Sequence, residues 1–214
     1  KNGYSVNSYD NLLYNNHFCV LNKTIYCNYQ FIFGDILNIR DIHSFIEKAN
    51  AVILLAGLVG DPITNKYPEE SVIINDKGIK EVIDVVAECN IERFIFVSTC
   101  SNYGLIEMDV KANENHKLNP LSLYAKSKVN AEKYILSFKD KMDINPTILR
   151  FATAFGLSPR MRFDLTVSEF TRTLAMGNEL LVFDAHTWRP YCHVEDFSRL
   201  IQMVLEASQE KVSF

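Results

Sequence analysis

Two hydrophobic periods alternate along this chain of 214 residues. Ala51 to Ala56 is continuously apolar, as expected of a parallel strand covered on both faces. Arg93 to Val97 and Pro146 to Leu149 predict two further buried strands. Tyr4 to Tyr9 alternates weakly and ends at Asp10, and Gln30 to Phe33 is a short apolar run ending at Gly34 and Asp35; both read as strands. Between them, Asn11 to Asn28 reads as a polar loop with a short strand. Helical periodicity is clearest where Ile79, Val82, Ile83 and Val86 share one face and Lys80, Glu81, Asp84 and Glu88 occupy others. Asn38 or Asp41 is placed to cap a helix running to about Ala49. Another helix starts after Pro120. Gly57 to Pro68 reads as a loop. Beyond about Gly156 the pattern is mixed, with a helix near Asp164 to Met176 and a short strand at Glu179 to Phe183.

Strand and helix thus alternate, with helices of about a dozen residues, which predicts an α/β doubly wound parallel sheet. Ligands of such sheets bind beyond the carboxyl ends of the strands. Asp10, Asp35, Gly57, Thr99 and Phe151 fall at or just past those ends.

Composition narrows the function. Hydrophobic residues make up 48% and charged residues 22% of the chain, which suits a globular domain with a sizeable core. With a net charge of −4 and no basic run, extensive binding to a nucleic-acid backbone is not expected. No apolar run approaches the ~20 residues of a membrane span. Cys19, Cys27, Cys89, Cys100 and Cys192 form no Cys-x-x-Cys clip, so reduced thiols and a cytoplasmic location are the expectation. His17, His43, His116, His186 and His193 show no metal-ligand spacing, and no metal is expected.

The candidate chemistry lies on the helix after Pro120. Tyr124 and Lys128 are one helical turn apart, so both side chains leave the same face. A free phenol titrates near pH 10, and a neighbouring ammonium lowers that value. At ~4 Å and an effective dielectric of ~20 the attraction is roughly 4 kcal/mol before desolvation. The pair can therefore move a proton on or off an alcohol; an ordinary solvated pair has the same spacing. Tyr124, Lys128, Ala131, Ile135 and Phe138 fall at offsets 0, 4, 7, 11 and 14, so Lys128 sits on the apolar stripe. A lysine aimed inward needs a partner or a polar cavity.

Several segments, in order, carry a resemblance. They are Asp10-Asn11-Leu12, Gly34-Asp35-Ile36, Leu55-Ala56-Gly57, Asn75 with Gly78, Val97 to Gly104, Tyr124 to Lys128, Leu149-Arg150-Phe151 and Arg189 to Asp196. Together they resemble the extended short-chain dehydrogenase/reductases of the NAD-dependent nucleotide-sugar epimerase/dehydratase branch. The resemblance implies a Rossmann-like NAD-binding domain over residues 1–156. It implies part of a substrate-binding region over 157–214, with a return to the first domain near 190–206. It also implies that the family's first strand, Gly-rich turn and first helix are missing, with Lys1-Asn2-Gly3 closing that helix and Lys211 to Phe214 beginning a strand. On this reading the chain is a fragment, truncated at both ends.

The resemblance also implies residue roles. Asp10, with Asn11 beside it, would accept hydrogen bonds from the adenosine ribose and favour NAD over NADP; a strand-end turn is the local alternative. Asp35 and Ile36 would flank adenine, or simply form a turn. Leu55, Ala56 and Gly57 would pass under the cofactor. Asn75 would contact the cofactor or brace the site, unless it only caps a helix. Thr99 would bind the reacting oxygen, and Phe151 would lie by the nicotinamide or pack in the core. Ser101 and Arg189 would face the substrate, Arg189 on its pyrophosphate.

The implied reaction is hydride transfer to NAD⁺, with Tyr124 taking the hydroxyl proton, Lys128 lowering its pKa and Thr99 steadying the oxyanion. The positions after Thr99, commonly Asp and Glu in sugar dehydratases, are Cys100 and Ser101, which argues against dehydration and for an epimerase or a simple oxidoreductase, with a nucleotide-sugar epimerase the leading reading. A dehydratase, a carbonyl reductase or dehydrogenase of the same family, and a non-catalytic cofactor-sensing protein are the other readings. Ser168 stands where many relatives carry a substrate-binding Asn. The expected partners are a nucleotide sugar and a second copy of the parent, paired through the helices at Asn75–Cys89 and Leu121–Phe138.

Overall fold

The computed structural model describes residues 3–21, 23–107, 110–138 and 146–212. In chain order the elements are β1 (Val6–Asp10), α1 (Phe18–Leu21), β2 (Tyr29–Phe33), α2 (Ile39–Ile46), β3 (Ala51–Leu54), α3 (Asp61–Lys66) and α4 (Pro68–Ser71). A π-helical stretch, Val72–Gly78, joins α4 to α5 (Ile79–Glu88). Then come β4 (Arg93–Thr99), a 3₁₀ turn at Cys100–Tyr103, α6 (Leu123–Ser137), β5 (Thr147–Phe151), β6 (Thr153–Phe155), α7 (Thr166–Ala175), β7 (Tyr191–His193), α8 (Val194–Glu206) and a 3₁₀ turn at Gln209–Val212.

Every strand pairing is parallel, as the pattern predicts. Among the described residues the strands form three sheets rather than one continuous sheet, in the orders β1-β2, β3-β4-β5 and β6-β7. The chain divides into two compact units. One comprises Lys1–Gly34 and Ala152–Leu200, the other Asp35–Phe151 and Ile201–Phe214.

The first unit holds the β1-β2 and β6-β7 ladders and α7. Its side chains are half-buried or exposed throughout the described residues. The second unit holds the core. Among the described residues, all the fully buried apolar side chains belong to it, including Ile42, Leu54, Ile79, Ile83, Phe94, Phe96, Ile135 and Val204. β4 is the centre of its sheet, paired with β3 on one side and β5 on the other, and it is buried almost throughout. That is the environment its unbroken apolar run requires. Ile53 in β3 keeps 37% of its surface in solvent and only Leu54 of the strand is buried, so the expected cover on both of its faces is not found.

The helices follow from caps and stripes. The Ser122 hydroxyl accepts the Ala125 N–H at 3.2 Å and opens α6. α5 turns Ile79, Val82, Ile83 and Val86 inward, the face its periodicity marks. At the start of β4, the buried Arg93 donates from Nη2 to Ala207 O at 2.5 Å, just past the end of α8. A cation suits a helix C-terminus, where the last carbonyls lack partners.

Four expectations fail locally. Gly57 to Pro68 is not all loop: α3 forms there, because proline is tolerated in a first helical turn and Asp61 suits the N-terminal dipole. Asn11 to Asn28 contains the short helix α1 instead of a strand. Glu179 to Phe183 is no strand; Leu181 and Phe183 are exposed, and an extended segment without a ladder partner gains nothing from its β-formers. Lys211 and Val212 lie in the final 3₁₀ turn rather than a strand. Lys1 and Asn2, expected to close a helix, lie outside the described residues, as do Ser213 and Phe214.

Phe94 is fully enclosed and Leu157 is almost fully exposed. Phe94→Ala is expected to destabilise the fold by about 3–5 kcal/mol, and Leu157→Ala by less than about 0.5 kcal/mol, both read by urea unfolding.

Candidate functional site

α6 aims an unusual set of side chains inward: Ser127, Lys128 and Glu132 are buried beside Ala125, Val129, Ala131 and Ile135. Lys128 retains 7% of its surface exposed. Its ammonium donates to Val97 O at 2.9 Å and stands 4.7 Å from the centre of the Phe96 ring. A carbonyl oxygen and an aromatic face both suit a cation, and neither is a counter-charge. Burial consequently lowers the Lys128 pKa from 10.5 to about 8, with Glu132, one turn further along α6, pulling it back up. An ammonium carries three N–H donors, and Val97 O is its only hydrogen-bond acceptor among the described residues. The head group can therefore serve a ligand oxygen as well. It borders a cavity of about 10 Å³, water-sized, shared with Ala56, Asn75, Ile79, Phe96, Ser127 and Ala131.

Thr99 ends β4 two residues beyond Val97 and is buried. Its hydroxyl accepts the Ser101 N–H at 3.2 Å and so caps the 3₁₀ turn. Phe151, half-buried, is paired with Thr99 in the β4–β5 register. Tyr124 is half-buried in the first turn of α6, one turn before Lys128 and on its face. Thr99, Phe151, Tyr124 and Lys128 thus all belong to the second unit and to elements that touch.

Asn75 does not cap a helix. It is buried inside the π-helical stretch, where its Oδ1 accepts Leu58 N–H at 2.7 Å and its Nδ2 donates to Leu58 O at 2.9 Å. This pair of hydrogen bonds braces the loop that leaves β3. Gly57 in that loop has φ +134°, and a Cβ there would lie 2.8 Å from Asn75 Oδ1. The bracing amide and the bare glycine therefore require each other. Local distortion of this π-helical kind is common at functional sites. Ala56 lines the cavity, and Leu55 is 58% exposed. Ile36 and Leu37 pack toward Gly78, and Asp35 Oδ1 accepts Leu37 N–H at 2.9 Å, the turn its position predicts.

Of the remaining predicted residues, Asp10, Asn11 and Arg189 lie in the first unit and Ser101 in the second. Asp10 Oδ1 accepts Leu12 N–H at 2.6 Å and Asn11 Oδ1 accepts Leu13 N–H at 3.1 Å, two successive Asx turns at the end of β1. Arg189 is exposed in the segment before β7. Ser101 is exposed in the 3₁₀ turn of the second unit.

Sequence reasoning missed a buried polar cluster behind Thr99. The Glu132 carboxylate accepts Ser98 Oγ at 2.5 Å, Asn102 Nδ2 at 2.7 Å and Arg150 Nη2 at 2.7 Å, with Arg150 Nε at 3.1 Å from both oxygens. Arg150 also donates to Tyr103 OH at 3.0 Å and Glu114 O at 3.1 Å. The carboxylate partner drives the Arg150 pKa upward. A signal was present. Glu132 lies on the inward stripe one turn after Lys128, and Arg150 interrupts an apolar strand; two opposite charges on buried faces require each other.

The family model for the NAD dependent epimerase/dehydratase family matches residues 1–213, so the chain belongs to that family. A low-salt glycan biosynthesis protein of Haloferax volcanii is 27% identical over 179 residues, covering 83% of this chain and 57% of that protein. YtcB of Bacillus subtilis, described as an uncharacterized UDP-glucose epimerase, is 29% identical over 167 residues, covering 77% of this chain and 52% of that protein. The chain spans about half the length of these relatives. The fold matches the crystal structure of UDP-glucuronic acid 4-epimerase from Bacillus cereus in complex with UDP-glucuronic acid and NAD, with a TM-score of 0.84 at 24% identity, over 96% of this chain and 66% of that one. No helix among the described residues is long and apolar enough to cross a membrane.

The depressed Lys128 pKa has a thermodynamic consequence. The folded chain holds this proton less tightly than the unfolded chain, so between about pH 8 and 10.5 the unfolded state binds more protons and stability rises with pH. Below about pH 8 the burial penalty is present in full. Lys128→Met removes that penalty. Its stability relative to the parent chain should be flat below pH 8 and fall by up to ~3 kcal/mol between pH 8 and 10.5, as measured by urea unfolding across that range.

Proposed function

We propose that this chain is the NAD-binding part of a nucleotide-sugar epimerase that works by transient hydride transfer. The observation that carries the reading is the buried Lys128 ammonium, held at the end of β4 by a carbonyl and an aromatic ring instead of a carboxylate. A structural lysine so placed costs stability and gains little. A lysine that must meet a ribose diol and a phenolate has reason to stay charged and underpaired.

The residues fit the cofactor. Lys128 keeps N–H donors for ribose hydroxyls, Ala56 and Gly57 are small at the strand end, and the Asp10 carboxylate is exposed at the end of β1. A carboxylate there suits a ribose 2′-hydroxyl and repels a 2′-phosphate, which favours NAD over NADP. Bound NAD supplies a two-electron acceptor that can return the same hydride. Tyr124 takes the proton from the sugar hydroxyl as the hydride leaves carbon, and gives it back on return. Lys128 stabilises the phenolate and holds the nicotinamide ribose. Thr99 donates to the carbonyl oxygen as it develops. Phe151 would lie by the nicotinamide, Asn75 keeps the Gly57 loop in place, Ser101 would meet the sugar and Arg189 the pyrophosphate. Asn11, Asp35, Ile36 and Leu55 complete the adenosine side.

The epimerase reading is supported over dehydration by Cys100 and Ser101. Loss of water from a keto-sugar needs a general acid and a general base, and these positions supply no carboxyl group. The parent is proposed to be a homodimer.

With NAD and either UDP-glucose or UDP-glucuronic acid, the intact protein should interconvert epimers without net NADH. Tyr124→Phe should reduce that rate by at least ~10²-fold and change the NAD dissociation constant by less than about threefold. Stoichiometric NADH would reassign the reaction to a dehydrogenase. Unchanged turnover in Tyr124→Phe would remove that residue from the mechanism.

A further inference from the structure

Glu132 is 1% exposed, the most enclosed charged side chain among the described residues, and it is not one of the residues that line the cavity. Its donors come from three segments. Ser98 is the residue before Thr99 on β4, Asn102 lies in the turn that Thr99 caps, and Arg150 is the residue before Phe151 on β5. Ser98 and Arg150 are also partners in the β4–β5 register, as are Thr99 and Phe151. One carboxylate on α6 therefore gathers both strand ends and the turn beneath the helix that carries Tyr124 and Lys128. Burying an ion pair in this way is a poor route to stability, since an apolar set of similar volume is often as stable. It does fix geometry, because each of its hydrogen bonds has a narrow range of length and angle.

We propose that Glu132 is a positioning residue of the candidate site, locking Thr99 and Phe151 in register with the α6 turn that carries Tyr124 and Lys128. The inference rests on the hydride-transfer reading given above. Glu132 acts through other residues and does not itself meet substrate or cofactor. Its charge has a second effect, opposing the loss of the Lys128 proton that burial promotes.

The test uses the full chain, with Lys128 followed by NMR on ¹³Cε-labelled lysine and backbone amides followed by hydrogen exchange. Glu132→Gln keeps the shape and removes the charge. It should lower the Lys128 titration midpoint, since the charge that opposes proton loss is gone, and speed exchange at Thr99 and Asn102 about tenfold. Glu132→Asp should restore the midpoint but not the exchange protection, since a shorter carboxylate keeps the charge and loses reach. A purely structural Glu132 would change the thermal midpoint and, through its charge, the Lys128 midpoint, but not exchange at Thr99 and Asn102; unchanged amide exchange in a folded Glu132→Gln protein overturns the proposal. Should Glu132→Gln not fold, Ser98→Ala removes one donor and leaves the ion pair. Exchange at Thr99 should then rise about fivefold with the Lys128 midpoint unmoved, and unaltered exchange overturns the proposal. NAD titration of the unsubstituted chain reads the site assignment separately. Failure to bind there refutes the hydride-transfer reading while the local NMR readouts still judge Glu132.

Discussion

A single ammonium sits where the polypeptide offers it least. Lys128 is surrounded by Phe96, Ile79 and Ala131, with Val97 O as its hydrogen-bond acceptor among the described residues. The arrangement ties α6 to the central strand of the best-packed part of the molecule. It also constrains that strand: β4 must present a carbonyl and an aromatic face at that level, and Thr99 then falls at the strand end. Much of the local architecture follows from accommodating one desolvated charge close to its neutralisation point.

The Glu132–Arg150 cluster is the complement of this arrangement. Lys128 is left underpaired, whereas Glu132 receives donors on both oxygens. The two charges stand one turn apart on α6, and opposite conditions suit them: a charge meant to meet a ligand needs spare hydrogen-bonding capacity, and one meant to hold strands together needs none left over. Asn75 serves the second purpose on the other side of the cavity, holding the loop after β3 by both groups of Leu58.

Buried polar side chains and buried apolar side chains concentrate in the same unit, the one built on β3, β4 and β5. A rigid core under the strand ends is what a site of fixed geometry needs. The unit carrying Asp10 and Arg189 has a more open surface, with Leu157, Trp188 and Phe183 largely in solvent. Family membership fits this division of labour, since a shared sheet can carry different chemistry through the residues at its strand ends. Cys100 and Ser101, after Thr99, are the local features on which the proposed epimerase reading rests.

By itself, the sequence determined where most strands lie, the inward stripes of α5 and α6, and the Tyr124–Lys128 spacing, because continuous apolar runs and a period of 3.6 residues depend on nothing distant. The ordered series of motifs from Asp10 to Asp196 also carried the family. Tertiary structure alone decided what those residues touch. Only the folded chain joins Glu132 to Arg150, 18 residues away, and Asn75 to Leu58, 17 residues away. Asn75 read locally as a cap, yet it braces a loop; Gly57 to Pro68 read as coil, yet it holds α3; Glu179 to Phe183 had the composition of a strand but found no ladder partner. For Asn75 and for Glu179 to Phe183 the deciding free energy was a hydrogen bond made, or not made, with a residue remote in sequence, and local pattern contains no information about such partners.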